Sequence, residues 1–191
     1  MNITVYAASS GQVPATYIQT ARELGTLLAE RSHTLVNGAG RTGLMGATAD
    51  ACLAAGGEAV GIIPQFMIDN GWQHTGMSRL VITADMHERK EQMAALSDAC
   101  IALPGGVGTL EELLEIITWK QLGLYLKPIV VLNAENYFTP LLQQLERAIG
   151  ERFMRELHRD LWKVAANAAE AIRLCEETTA WNPSLTKFAA L

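Results

Sequence analysis

Two short runs of this sequence bring together residue types that can do chemistry. The first is Pro104-Gly105-Gly106-Val107-Gly108-Thr109-Leu110-Glu111-Glu112. Three glycines in four positions free the backbone to wrap an anion, and a helix starting just after them would add the positive end of its dipole. No Lys-Ser/Thr pair follows, so this is not a Walker-type loop. Thr109 and Glu112 have the spacing of a helix capping box. Capping, however, accounts for neither the glycines nor a pair of carboxylates beside an anion site. Glu112 is therefore also a candidate catalytic carboxylate.

The second run is Asp85-Met86-His87-Glu88-Arg89-Lys90. Asp85 and Glu88 suit the start of a helix, which places Arg89 and Lys90 where the dipole disfavours cations. Either they sit on a solvated face, or they turn toward a bound phosphate, for which a guanidinium offers paired donors. His87 reads more simply as a structural histidine than as a proton shuttle. A third run, Gly38-Ala39-Gly40-Arg41-Thr42-Gly43, has the G-x-G-x-x-G form, and Gly40 and Gly43 are its candidate ligand-side positions. A dinucleotide site also wants an acid at the end of the next strand, and that strand ends Gly61-Ile62-Ile63-Pro64. A bare structural turn and a different phosphorylated ligand both remain open.

The elements that must hold these runs follow from the alternation of short apolar segments with helical patterns. Strands are predicted at 3–7, 34–36, 59–63, 80–82, 99–103, 129–132 and 162–164. Helices are predicted at 14–31, 43–55, 86–96, 110–122, 139–149 and 168–176, with an irregular loop at 65–78. Strands this apolar, alternating with helices, predict an α/β fold: a Rossmann-like doubly wound parallel sheet covered by helices on both faces. Ligands are then expected at the carboxyl ends of the strands. Residues 1–177 read as one nucleotide-binding domain and 178–191 as a C-terminal tail.

The composition narrows the class. The chain has 191 residues, 49% hydrophobic and 18% charged, which excludes intrinsic disorder. Fifteen Lys and Arg stand against twenty Asp and Glu, so a nucleic-acid partner is not expected. Without a long apolar run or a basic leader, neither a membrane partner nor a secretory route is expected, and the chain reads as cytoplasmic. Cys52, Cys100 and Cys175 read as reduced thiols packed as small apolar groups. The 110–122 helix is apolar on more than one face, and the surplus predicts a homodimer.

The sequence resembles the LONELY GUY (LOG) family. Residues 104–112 match its PGGxGTxxE signature, and Met86-His87-Glu88-Arg89-Lys90 matches its MHxRK motif. Supporting matches lie at 5–10, 38–46 and 113–123, with Lys127-Pro128 following, so the likeness runs from about residue 3 to 150. It implies a cytokinin riboside 5′-monophosphate phosphoribohydrolase, which cleaves the N-glycosidic bond of an adenine-type nucleotide, a cytokinin nucleotide or AMP, to free base and ribose 5-phosphate. It further implies that Arg89 and Glu112 are catalytic and that Met86, Lys90, Gly105, Gly106, Gly108, Thr109 and Glu111 line the nucleotide site. No cofactor or metal is implied. The older description of the family as lysine decarboxylases is set aside, because nothing marks a lysine for a pyridoxal Schiff base.

This sequence departs from the family pattern at Val107, where an aromatic is frequent, and at Ala7-Ala8, where Cys-Gly is common. The loop at 71–74 lacks the acid that many members carry. The competing expectation is a nucleotide or molybdenum-cofactor carrier of the same fold that turns nothing over. Retention of both Arg89 and Glu112 favours the enzyme.

Overall fold

The computed structural model describes residues 1–185. Seven parallel strands run in the order β4-β3-β2-β1-β5-β6-β7. They are β1 (Asn2–Tyr6), β2 (Thr34–Asn37), β3 (Glu58–Pro64), β4 (Arg79–Thr83), β5 (Ala99–Ala102), β6 (Ile129–Leu132) and β7 (Lys163–Ala165). The helices are α1 (Ala15–Glu30), α2 (Gly43–Ala54), α3 (Gln65–Asp69), α4 (Met86–Leu96), α5 (Val107–Gln121), α6 (Thr139–Gly150) and α7 (Ala168–Glu177).

Side chains alternate across each strand, and both sets are buried. Ile3 and Val5 of β1 pack with Leu24 of α1, Ala49 of α2 and Ile172 of α7 on one face of the sheet. Tyr6 of β1 packs with Met93 of α4, Leu113 of α5 and Ile149 of α6 on the other. Burial on both faces is why these strands read as continuous apolar runs. The doubly wound expectation holds.

The strand order reverses between β1, which pairs with β2 on one side, and β5 on the other. Such a switch point opens a crevice beyond the carboxyl ends of the strands, because the crossovers on either side lead away from it. The 5–10, 38–43 and 104–112 runs all emerge there.

Two expectations need correction. The helix after β5 begins at Val107, with Gly106 in extended backbone as its cap, not at Leu110 with Thr109 as cap. Thr109 is buried inside the first turn, so the capping-box reading fails. The segment 65–78 is also less irregular than expected. It opens with α3, and its remainder is pinned to the first glycine turn: Arg41 N–H donates to the Trp72 carbonyl at 3.3 Å and His74 N–H to the Ala39 carbonyl at 2.7 Å. His74 Nε2 also lies 2.9 Å from Asp50 Oδ1 on α2.

Around Asp85 the expectation is met, since its carboxylate accepts from the N–H groups of His87 and Glu88. The three cysteines are buried and unpaired, and burial pushes the Cys100 thiol up to about 12. The predicted tail, 178–191, is described only to Leu185, and its remaining residues lie outside the described residues. Within the described part, Trp181 packs into the core and its backbone N–H donates to the Leu126 carbonyl at 2.6 Å. Among the described residues, no helix is long and apolar enough to cross a membrane.

Candidate active site

A cleft of about 280 Å³ opens at the switch point. The β1 end supplies Ala7 to Ser10, the β2 end Gly38 and Gly40, α4 Met86 and Arg89, and α5 Gly108, Thr109, Glu111 and Glu112. Met45, Met67 and Gly106 complete its wall. The sequence motifs thus converge on one space, although 74 residues separate Gly38 from Glu112.

Arg89 and Glu112 face each other across the cleft floor, 5% and 7% exposed. Arg89 Nη2 lies 3.6 Å from Glu112 Oε1, close enough to attract and too far for a hydrogen bond. Nη1 donates to the Met86 sulfur at 3.4 Å, and the buried Nε has no partner among the described residues. Burial pushes the Glu112 carboxyl up to about 7, against the opposing pull of the Arg89 charge. This arrangement leaves a buried cation with spare donors beside a carboxylate able to change protonation near neutrality.

The glycines divide by what surrounds them. A β-carbon on Gly105 would stand 2.0 Å from Thr109 Oγ1, so this glycine makes room for the threonine. A β-carbon on Gly106 or Gly108 would meet nothing within 4 Å. Those two leave the cleft open where the first N–H groups of α5 point. Among the described residues, the N–H groups of Gly106 to Thr109 donate to no carbonyl or side chain, as expected for a helix start that receives an anion.

The first glycine turn behaves differently from the phosphate-cradling alternative. Ala39 N–H donates to Asn37 Oδ1 at 2.8 Å, Gly40 N–H to the Met45 sulfur at 3.0 Å, and Arg41 N–H to Trp72. These donors are engaged inside the protein. Gly40 borders the cleft without offering its N–H to it. Gly43 does not border it: with φ of +67°, it takes a left-handed conformation against the carbonyls of Ala8 and Ser10.

Lys90 and Gly105 also lie outside the cleft wall, contrary to expectation. Lys90 Nζ bonds Glu111 and, at 3.0 Å, Glu115, tying α4 to α5. Burial lowers the lysine pKa, but the two carboxylates more than offset this, and the net shift is upward. Glu111 borders the cleft as expected while holding Lys90. His87 is exposed and lines a separate groove, not the cleft. Met67 borders the site although no motif marked it, and Ser9 and Ser10 border it within the 5–10 match although neither was named as a site residue. For the two serines the match at 5–10 was the available signal; for Met67 there was none.

That separate groove is larger, about 680 Å³, and runs along α4 and the second half of α5 past Trp119, Leu124 and Tyr125. Its wall includes neither Arg89 nor Glu112 nor the glycine turn, so the chemistry belongs to the smaller cleft.

Comparison with known proteins agrees with the motifs. A family model described as "Possible lysine decarboxylase" matches residues 45–175. A cytokinin riboside 5′-monophosphate phosphoribohydrolase of Arabidopsis thaliana is 41% identical over 175 residues, 92% of this chain and 81% of that protein. One from Rhodococcoides fascians is 44% identical over 154 residues, 80% of this chain and 78% of that protein. Among solved structures, the molybdenum cofactor carrier protein of Chlamydomonas reinhardtii matches with a TM-score of 0.68 at 23% identity, covering 92% of this chain and 96% of that one. The structural likeness concerns the fold; the sequence likeness reaches further, and on it this chain belongs to the LONELY GUY (LOG) family, the family whose model carries the decarboxylase description.

Proposed function

We propose that this chain hydrolyses the N-glycosidic bond of an adenine-type nucleoside 5′-monophosphate, releasing free base and ribose 5-phosphate. The observation that carries the reading is the buried Arg89–Glu112 pair, placed across one cleft from the open glycine start of α5. The N–H groups of Gly106, Gly108 and Thr109 hold the 5′-phosphate, and its binding energy positions the sugar. Breaking a ribosyl C–N bond develops positive charge at the anomeric carbon. The ionised Glu112 carboxylate stabilises that charge and orients or deprotonates the attacking water. Arg89 holds the ligand and stabilises charge on the departing base, and Met86 borders the base or ribose. Relatives named for this reaction at 41–44% identity support the assignment.

The competing carrier reading draws on fold likeness, which many functions share. A binding protein has no need of a buried carboxylate with a raised pKa beside the ligand's glycosidic carbon. We propose further that the chain acts in the cytoplasm as a homodimer built from one domain spanning 1–177. The dimer reading rests on apolar surface along α5 and beyond it: Leu114 is 38% exposed and Leu124 72%.

The test is chromatographic detection of base and ribose 5-phosphate after incubation with AMP, isopentenyladenosine monophosphate, GMP, CMP or adenosine. Release from an adenine-type monophosphate is expected, with no more than a residual rate from adenosine. Saturable binding without release from any of them would sink the hydrolase reading in favour of the carrier.

A further inference from the structure

Tyr137, which no motif marks, reaches the phosphate turn from the far side. Its hydroxyl donates to the Gly105 carbonyl oxygen at 2.7 Å. That carbonyl and the N–H of Gly106 belong to one planar peptide unit and point in opposite directions. Holding the oxygen toward Tyr137 therefore aims the Gly106 N–H away from it. The wall of the cleft matches this: Gly106 borders it and Gly105 does not. Both residues flanking the peptide are glycines, so without a tether the unit could rotate between many orientations at little cost.

The tyrosine is itself firmly held. It follows a turn in which two non-glycine residues, Glu135 and Asn136, are left-handed, with φ of 50° and 59°. Such conformations persist only where the surroundings enforce them. Asn133 closes the turn, its Oδ1 accepting from Phe138 N–H at 2.7 Å and its Nδ2 donating to Thr139 Oγ1 at 3.1 Å. The Tyr137 ring stands edge-on to Tyr17 at 5.8 Å and to Phe138 at 5.2 Å.

We propose that Tyr137 is a positioning residue of the phosphate site: through the Gly105 carbonyl it fixes the Gly106 N–H in the direction of the bound 5′-phosphate. The proposal rests on the nucleotide reading of the cleft. Tyr137 touches no reacting atom; it removes a rotation that the paired glycines would otherwise allow.

The experiment compares wild type, Tyr137→Phe and Tyr17→Phe as full chains. It follows AMP hydrolysis, residual adenosine hydrolysis, calorimetric affinity for ribose 5-phosphate, and melting temperature. Phenylalanine keeps both ring contacts and removes only the hydroxyl. The expected result for Tyr137→Phe is a rise of about tenfold in KM for AMP and in Kd for ribose 5-phosphate, the weakening of one charge-assisted hydrogen bond. The kcat value, the melting temperature and the adenosine rate stay close to wild type, and Tyr17→Phe changes none of these. Unchanged KM and Kd in Tyr137→Phe overturn the positioning role while the hydrolase reading stands, and so do equal losses on AMP and adenosine. A wild-type protein that shows no preference for the phosphorylated substrate overturns both.

Discussion

The guanidinium of Arg89 lies against the α-carbon of Gly38: a β-carbon built on that glycine would stand 1.6 Å from Nη2. The first glycine turn therefore serves α4 as much as any ligand, because it makes the space in which the cleft's arginine lies.

Gly38→Ala tests that relationship. The added methyl group must push the guanidinium aside, and misplacing a catalytic group by about 1 Å can cost about a hundredfold in rate. A fall of that order in kcat/KM for AMP is expected from steady-state kinetics. Wild-type activity in this variant would show that Arg89 acts from some other position.

Glu112→Gln keeps the shape of the side chain and removes its charge. Turnover is expected to fall by at least about a hundredfold, as when a transition-state electrostatic contact is lost. Calorimetric affinity for ribose 5-phosphate should stay within about threefold of wild type. Retained turnover would exclude the carboxylate mechanism.

The pH profile follows from the same group. With its carboxyl raised to about 7, Glu112 is largely protonated in mildly acidic solution. For the free enzyme, kcat/KM should rise about tenfold per pH unit below that value and level off above it. A rise centred well below pH 6 would mean that another group controls the rate. Stability runs the other way. A raised carboxyl pKa contributes stability that is fully present below the unfolded value and lost as pH climbs through about 7. Glu112→Gln should thus match wild type in thermal unfolding at pH 4 and exceed it at pH 8, by roughly 1–3 kcal/mol.

Two glycines of one turn should respond oppositely to alanine. Gly108 stands in the first turn of α5 with open space before it, so Gly108→Ala is expected to stabilise the chain by about 0.5–1 kcal/mol while raising KM for the nucleotide. Gly105→Ala collides with Thr109 and should lower the melting temperature. Thermal unfolding beside kinetics separates the two.

Association can be read by analytical ultracentrifugation. Leu124 is largely exposed and lies on the groove between α4 and α5. Wild type is expected to sediment as a dimer and Leu124→Glu as a monomer, with folding stability changed by less than about 0.5 kcal/mol. A wild-type monomer at micromolar concentration would refute the assembly.

Most of the architecture was legible because parallel strands buried on both faces must be apolar throughout. Residues 99–103 and 129–132 could hardly be anything else. The start of α5 was misjudged because Thr109 and Glu112 mimic a capping box, whereas the extended Gly106 caps the helix three residues earlier. The convergence of Arg89 and Glu112 was legible from their motifs. The role of Tyr137 was not, because a hydrogen bond across 32 residues leaves no periodic trace. Nor could local spacing show that Glu111 and Glu115, on another helix, take up Lys90.

The fate of Lys90 sets how the site should respond to ionic strength. With its ammonium shared between two carboxylates, Arg89 is the one cation bordering the cleft among the described residues, and it is buried. The rest of the anion's reception falls to neutral N–H dipoles fixed in the backbone. Mobile ions screen exposed charges over about 10 Å at 0.1 M salt, but they reach buried groups and backbone dipoles far less. A phosphorylated ligand should therefore be held almost as tightly in concentrated salt as in dilute buffer, by shape and direction more than by net charge.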